Sequence, residues 1–164
     1  LPIKYPDLDL KYNIKVHGSG PSVIVTVDLE KPLPKEFAGK VGFVLELFPG
    51  LLYGKTWNLD NKSGIFPRQS NGPSVKVLNN EEYEMQPIAS GRKLSVIPEN
   101  KFLHLTIESR KEDLQLLDGR YDRNDGWFIV RSILADGVTT GAVEWIITPN
   151  SVPEWKSAKS ATNP

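Results

Sequence analysis

Leu8-Asp9-Leu10-Lys11-Tyr12-Asn13-Ile14-Lys15-Val16, then Gly18-Ser19-Gly20-Pro21, then Val23-Ile24-Val25-Thr26-Val27-Asp28-Leu29: this stretch decides how the chain folds. In the first segment apolar side chains occupy every second position with polar or charged ones between, a period of two that places them on opposite faces of an extended strand. The second repeats the alternation at Val23, Val25, Val27 and Leu29, and the Gly/Pro cluster between them supplies a turn. The first 30 residues therefore read as a β-meander.

Outward from that hairpin the pattern recurs. Lys40–Phe48 is apolar at nearly every position, as in a strand covered on both faces, with Glu46 as its one misfit. Phe102–Ser109, Gly126–Leu134 and Ala142–Thr148 are further strands, and Leu51–Trp57, Ser74–Leu78 and Leu94–Ile97 shorter ones. The 13 Gly and 13 Pro are spread along the chain and break almost every helical pattern. Lys111–Leu117 is the best candidate for a helical turn. The fold class that follows is all-β, an antiparallel two-sheet β-sandwich, jelly-roll-like. Its expected core is Val23, Val25, Val27, Val41, Phe43, Leu45, Leu103, Leu105, Ile107, Ile129, Val143, Trp145 and Ile147. Residues 1–149 form one module, and the small, polar and Pro-containing residues 150–164 read as a linker toward a further domain.

Composition narrows function. Twenty Lys+Arg balance 20 Asp+Glu, so no overall field draws the chain to nucleic acid or to an acidic membrane. The absence of Cys removes disulfides, thiolate catalysis and Cys-ligated metals. No apolar run is long enough to span a bilayer, and the start, Leu1-Pro2-Ile3-Lys4, reads as a trimmed or mature fragment. There is no Gly-x-Ser-x-Gly elbow, no His-Glu-x-x-His and no phosphate-cradling glycine loop; His17 and His104 read as structural. Glu46 and Glu144 are single acids in apolar strands. They either face one another across a cleft as acid and nucleophile of a glycosidase, or each pairs with an Arg such as Arg131 or faces solvent.

Two loops carry the remaining chemistry. Tyr53 and Trp57 share a strand face, and Arg68, Gln69 and Asn71 follow in a Gly/Pro-rich loop, with Arg120 as a further donor. Aromatic plates beside planar donors suit a pyranose ring, whose C–H face stacks while its hydroxyls hydrogen-bond. The competing reading makes Tyr53, Trp57 and Phe66 core aromatics. The second loop, Asp118-Gly-Arg-Tyr-Asp-Arg-Asn-Asp-Gly126, offers Asp118, Asp122, Asn124 and Asp125 as hard oxygen ligands for a structural calcium ion, or forms a plain turn neutralised by Arg120 and Arg123.

Gly42-Phe-Val-Leu-Glu-Leu-Phe-Pro-Gly50, Gly64-Ile-Phe-Pro-Arg-Gln-Ser-Asn-Gly-Pro73, Gly126-Trp-Phe-Ile-Val-Arg-Ser132 and Ala142-Val-Glu-Trp-Ile-Ile-Thr-Pro149 resemble an N-terminal β-sandwich module of bacterial glycoside hydrolase family 9 cellulases. These segments are about a fifth of the chain. The resemblance implies a secreted, extracellular setting, a tethered catalytic domain and a non-catalytic role. Two functions stay open: a monomeric carbohydrate-binding module for a neutral β-linked plant polysaccharide of glucan or xylan type, or a docking module that packs against the catalytic domain without binding sugar. Aromatic rings open to solvent favour the first, and the same rings buried favour the second.

Overall fold

The structure, a computed structural model, describes residues 1–70, 75–79, 82–120 and 126–149, with the backbone alone described at residue 7 and in 75–79 and 82–85. Pro2–Tyr5 forms β1, and the alternating N-terminal stretch forms β2 (Leu10–Ser19) and β3 (Ser22–Leu29), paired antiparallel from Tyr12 opposite Leu29 to Ser19 opposite Ser22. Gly20 turns the hairpin at φ +58°, a left-handed conformation that glycine adopts without a Cβ clash. The remaining strands are β4 (Gly42–Leu47), β5 (Thr56–Leu59), β6 (Lys62–Ile65), β7 (Val75–Asn79), β8 (Glu82–Met85), β9 (Ala89–Gly91), β10 (Lys93–Val96), β11 (Leu105–Ser109), β12 (Leu114–Asp118), β13 (Phe128–Ile133) and β14 (Val143–Pro149).

Two antiparallel sheets form the all-β sandwich that the alternation predicts. One has the order β1-β2-β3-β14-β11-β10-β5-β6 and the other β4-β13-β12-β9; β7 and β8 pair as a separate ribbon. The connections β3–β4, β9–β10, β11–β12 and β13–β14 each change sheet, so the order 3-14-11-10 in one sheet is matched by 4-13-12-9 in the other. Only Arg92 separates β9 from β10. At that corner Asp60 accepts from the Arg92 and Lys93 amides at 2.8 and 3.0 Å, and its carboxylate fills the space a side chain at Gly91 would need.

Between the sheets lie Val27, Trp57, Leu59, Phe66, Leu94, Ile107, Leu114, Leu116, Phe128, Val130, Val143 and Trp145. Burial of each large apolar side chain is worth about 1.5–3 kcal/mol relative to exposure. Trp145 packs edge-on against Phe43 at 4.9 Å and donates Nε1–H to Ser132 Oγ at 3.1 Å, so this core ring carries no orphaned donor.

Three expectations need correction. Lys111–Leu117 contains no helical turn; from Leu114 onward it is β12, because Leu114 and Leu116 alternate into the core and Gln115 pairs with both Arg131 and Ser90. Lys40–Phe48 is not covered on both faces: β4 lies at the edge of its sheet, with Val44 41% exposed. Leu103 and Val23, expected in the core, are 47% and 39% exposed, because Leu103 precedes the start of β11 and Val23 lies near the tip of the β2–β3 hairpin. Ile129, expected in the core, is buried as expected, on the face of β13 opposite the inward Phe128 and Val130. The linker 150–164 lies outside the described residues.

Candidate functional site

Trp57 stands on β5, and its neighbours in sequence alternate: Leu59 buried, Asn58 exposed. Strand parity therefore turns the indole inward, where it is 5% exposed and lies against Gly64 of β6, whose absent Cβ would come within 2.5 Å of the ring. Trp57 is thus not a solvent-facing plate, which corrects its assignment to a sugar-stacking surface. Its Nε1–H has no hydrogen-bond partner among the described residues. Phe66 is fully buried beside Phe128 at 4.9 Å.

Tyr53, Arg68 and Arg120 do come together, but as a closed clasp. The Arg120 guanidinium lies 5.3 Å from the Tyr53 ring centre and 4.5 Å from that of Phe128. Its Nε and Nη2 donate to the two Asp118 oxygens at 2.7 and 2.6 Å, and Nη1 donates to the Arg68 carbonyl at 3.0 Å. The paired side chains are 8% and 11% exposed. The Asp118 carboxylate beside it raises the Arg120 pKa above its ordinary value. Nε, Nη1 and Nη2 of Arg120 thus each donate within the protein. Each Asp118 oxygen thus accepts a guanidinium N–H in this structure. Arg68 and Gln69 have exposed side chains. Asn71, Asp122, Asn124 and Asp125 lie outside the described residues.

The two glutamates cannot share a cleft. In β4 the inward positions are Phe43, Leu45 and Leu47, which turns Glu46 outward from the smaller sheet; in β14 the inward positions are Val143 and Trp145, which turns Glu144 outward from the larger one. Glu144 accepts from Arg110 Nη1 at 3.0 Å. The carboxyls thus stand on opposite outer surfaces, and the acid–nucleophile pairing of a glycosidase is not formed by them. His17 is exposed, and His104 Nε2 lies 3.4 Å from Thr106 Oγ1.

What the molecule leaves open is one mouth of the sandwich. Leu47, Val96 and Leu105 point into the interior where β4, β10 and β11 end or begin, and Phe48, Leu51, Leu52, Ile97, Leu103 and the rim residue Glu46 complete a groove of about 230 Å³. Phe48, Leu51, Leu103 and the adjacent Phe102 are 60%, 66%, 47% and 72% exposed. Phe48 also meets Trp127 edge-on at 5.4 Å. The floor is fastened: Ile97 N–H donates to the Thr56 carbonyl at 2.9 Å, and the Glu99 carboxylate takes both the amide of Thr56, at 3.1 Å, and its hydroxyl. That hydroxyl bond holds the Glu99 pKa below the ordinary carboxylate value. Ile97 is held at φ +53°, a conformation costly for a β-branched residue that persists only where surrounding contacts impose it.

Sequence reading did not find this groove. The available signal was Phe48-Pro49-Gly50-Leu51-Leu52, a Pro-Gly turn carrying large apolar residues where a solvated turn would be polar. No family model, no curated protein and no solved structure matches the chain.

Proposed function

We propose that this chain is a docking module that engages another polypeptide through the apolar mouth of its sandwich, without binding sugar. The single observation that carries the reading is the cluster of Phe48, Leu51 and Leu103, large apolar side chains standing in solvent along a groove with a fastened floor. A contiguous apolar surface of this kind is costly to leave in water and marks a contact site. A groove lined by Leu, Val and Ile with one carboxylate at its rim offers few donors and acceptors for hydroxyls, and its 230 Å³ falls short of the roughly 300–1,000 Å³ of small-molecule sites. The partner that the family resemblance implies is a tethered glycoside hydrolase catalytic domain, in an extracellular setting. Sugar binding, the second reading, rests on Phe48 and Trp127, an aromatic pair with an exposed ring at this end.

Selection of displayed random peptides against the folded chain, followed by affinity electrophoresis through glucan, xylan and mannan gels, separates the two. The docking reading expects peptides carrying a large apolar residue that bind at least about tenfold more weakly to Leu103→Asp and Leu51→Asp, which is roughly 1.4 kcal/mol, and no retardation in any gel. Retardation abolished by Phe48→Ala or Trp127→Ala, with no apolar peptide enriched, overturns it in favour of the carbohydrate-binding module.

A further inference from the structure

The two sheets differ in width. The order β3-β14-β11-β10 is matched by β4-β13-β12-β9, and Trp145 of β14 meets Phe43 of β4. Beyond β3 the larger sheet continues with β2 and β1, and the smaller sheet has no strand opposite them. At one end of this overhang Pro32 and Pro34 lie beside Leu10, which is buried. Toward the tip of the β2–β3 hairpin the residues of inward parity lie open: Ile14 is half-buried, Val23 exposed, and Val16, opposite Val25, is 63% exposed.

The edge that borders this gap is β4. Leu134 N–H donates to the Val41 carbonyl at 2.8 Å, one step before the Gly42–Ile133 pair, so Phe43, Leu45 and Leu47 are the β4 residues that exchange bonds with β13. Val44 lies between them and turns its N–H and C=O the other way, toward the outer edge. The other edges of the two sheets are short or carry residues that discourage pairing: β1 has four residues with Pro2 and Lys4, β6 four with Lys62 and Gly64, and β9 three. β4 runs six residues, Gly-Phe-Val-Leu-Glu-Leu, with neither proline nor lysine.

We propose that β4 accepts one extended segment of another polypeptide, which becomes the fifth strand of the smaller sheet. This rests on the docking reading above and names the partner's conformation and chemistry. Main-chain bonds to Val44 supply affinity, and alternate side chains supply specificity. A strand about 4.8 Å beyond β4 lies opposite β2, where its inward side chains cover Ile14, Val16 and Val23. The segment therefore carries apolar residues at alternate positions and no proline where it pairs with Val44. Leu47 of β4 lines the groove, so one end of the added strand reaches it. A second copy of this chain does not fit. Antiparallel pairing of two β4 strands keeps both larger sheets on one side of the joined sheet, and β2 of each copy would fall on β3 of the other.

The test uses the full chain and the apolar peptides selected by display. Synthetic versions of one peptide, each with a single backbone N-methyl group, should lose at least about tenfold in affinity at alternate positions and little between them, because only every second amide faces β4. Amide exchange at Val44 should slow at least about tenfold on saturation with the unmethylated peptide. Exchange at Lys4 should stay unchanged, since Leu1 and Ile14 exchange bonds and so turn the Lys4 amide to the β1 edge. Val44→Pro, which removes the outward amide and no bond to β13, should weaken binding at least about tenfold, and Val44→Thr should not. Loss without alternation along the peptide, with Val44 exchange unchanged, overturns the proposal. In that case peptides that still depend on Leu103 leave the docking reading standing, whereas the absence of any apolar peptide removes both. Protection of Val44 that appears on concentrating the chain without peptide assigns the edge to a second copy and also overturns the proposal.

Discussion

The clasp around Arg120 and the groove around Leu51 are built from neighbouring residues and have opposite characters. Tyr53 turns toward a guanidinium whose Nε, Nη1 and Nη2 all donate within the protein, while Leu51, two residues earlier in the same turn, stands 66% exposed. In the clasp, polar groups are closed off because a buried charge without a partner is expensive, and the fold satisfies it internally. In the groove, apolar groups are left open although water disfavours them. The contrast teaches that Trp57, Asp118 and Arg120 are committed to structure, while the open surface among the described residues is an apolar one.

The comparison breaks most sharply on the closed side. Arg120→Met should cost about 3–5 kcal/mol in denaturant unfolding because it leaves Asp118 buried without its partner, and replacing both residues by apolar ones should recover most of the loss. Trp57→Ala should cost a similar 3–5 kcal/mol, as expected for a core ring. A small effect of Trp57→Ala on stability would return that residue to the surface. Gly64→Ala, which drives a methyl against the indole, should cost about 1–3 kcal/mol by the same assay.

On the open side the same measurements should barely move. Leu103→Asp and Leu51→Asp should shift stability by no more than about 0.5 kcal/mol while abolishing apolar peptide binding. A large destabilisation would mean that the groove belongs to the core. Glu99→Gln sharpens the point through pH. The folded Glu99 pKa is lowered by the Thr56 hydroxyl, so its stabilising effect is present above the unfolded value of about 4.3 and lost as pH falls through the folded one. The difference in melting temperature between wild type and Glu99→Gln should therefore shrink below about pH 4. A difference that grows on acidification would reverse the assignment. The smallest effect is expected from calcium, since Asp118 is held by Arg120. Chelator and millimolar calcium should give the same melting curve, and a rise would place the ion on Asp122, Asn124 and Asp125 without Asp118.

Much of the fold was legible because alternation is a local property. Val25, Val27, Ile107, Val143 and Trp145 are buried where period-two counting puts them. The failures cluster where the strand ends rather than where its parity changes. Leu103 has the inward parity of Leu105 and Ile107, yet it sits in the turn closed by its amide on the Asn100 carbonyl, beyond the point where a second sheet covers it. The β12 segment was misread because Lys111-Glu112-Asp113 looks like a helix start, and the partners that make Leu114–Asp118 a strand, Arg131 and Ser90, are 16 and 25 residues away.

Strand class, the N-terminal hairpin and the exclusion of cysteine chemistry follow from residue order and composition, since each depends on neighbours within a few positions or on a count. Which aromatic faces water, which arginine is already paired and where the sandwich stays open depend on contacts across long separations, such as Arg120 with Arg68 and Leu47 with Leu105. A side chain's burial is a property of what the rest of the chain brings over it. The same tyrosine and arginine that spell a sugar site in one dimension close into a clasp in three, and an ordinary leucine in a turn becomes the exposed rim.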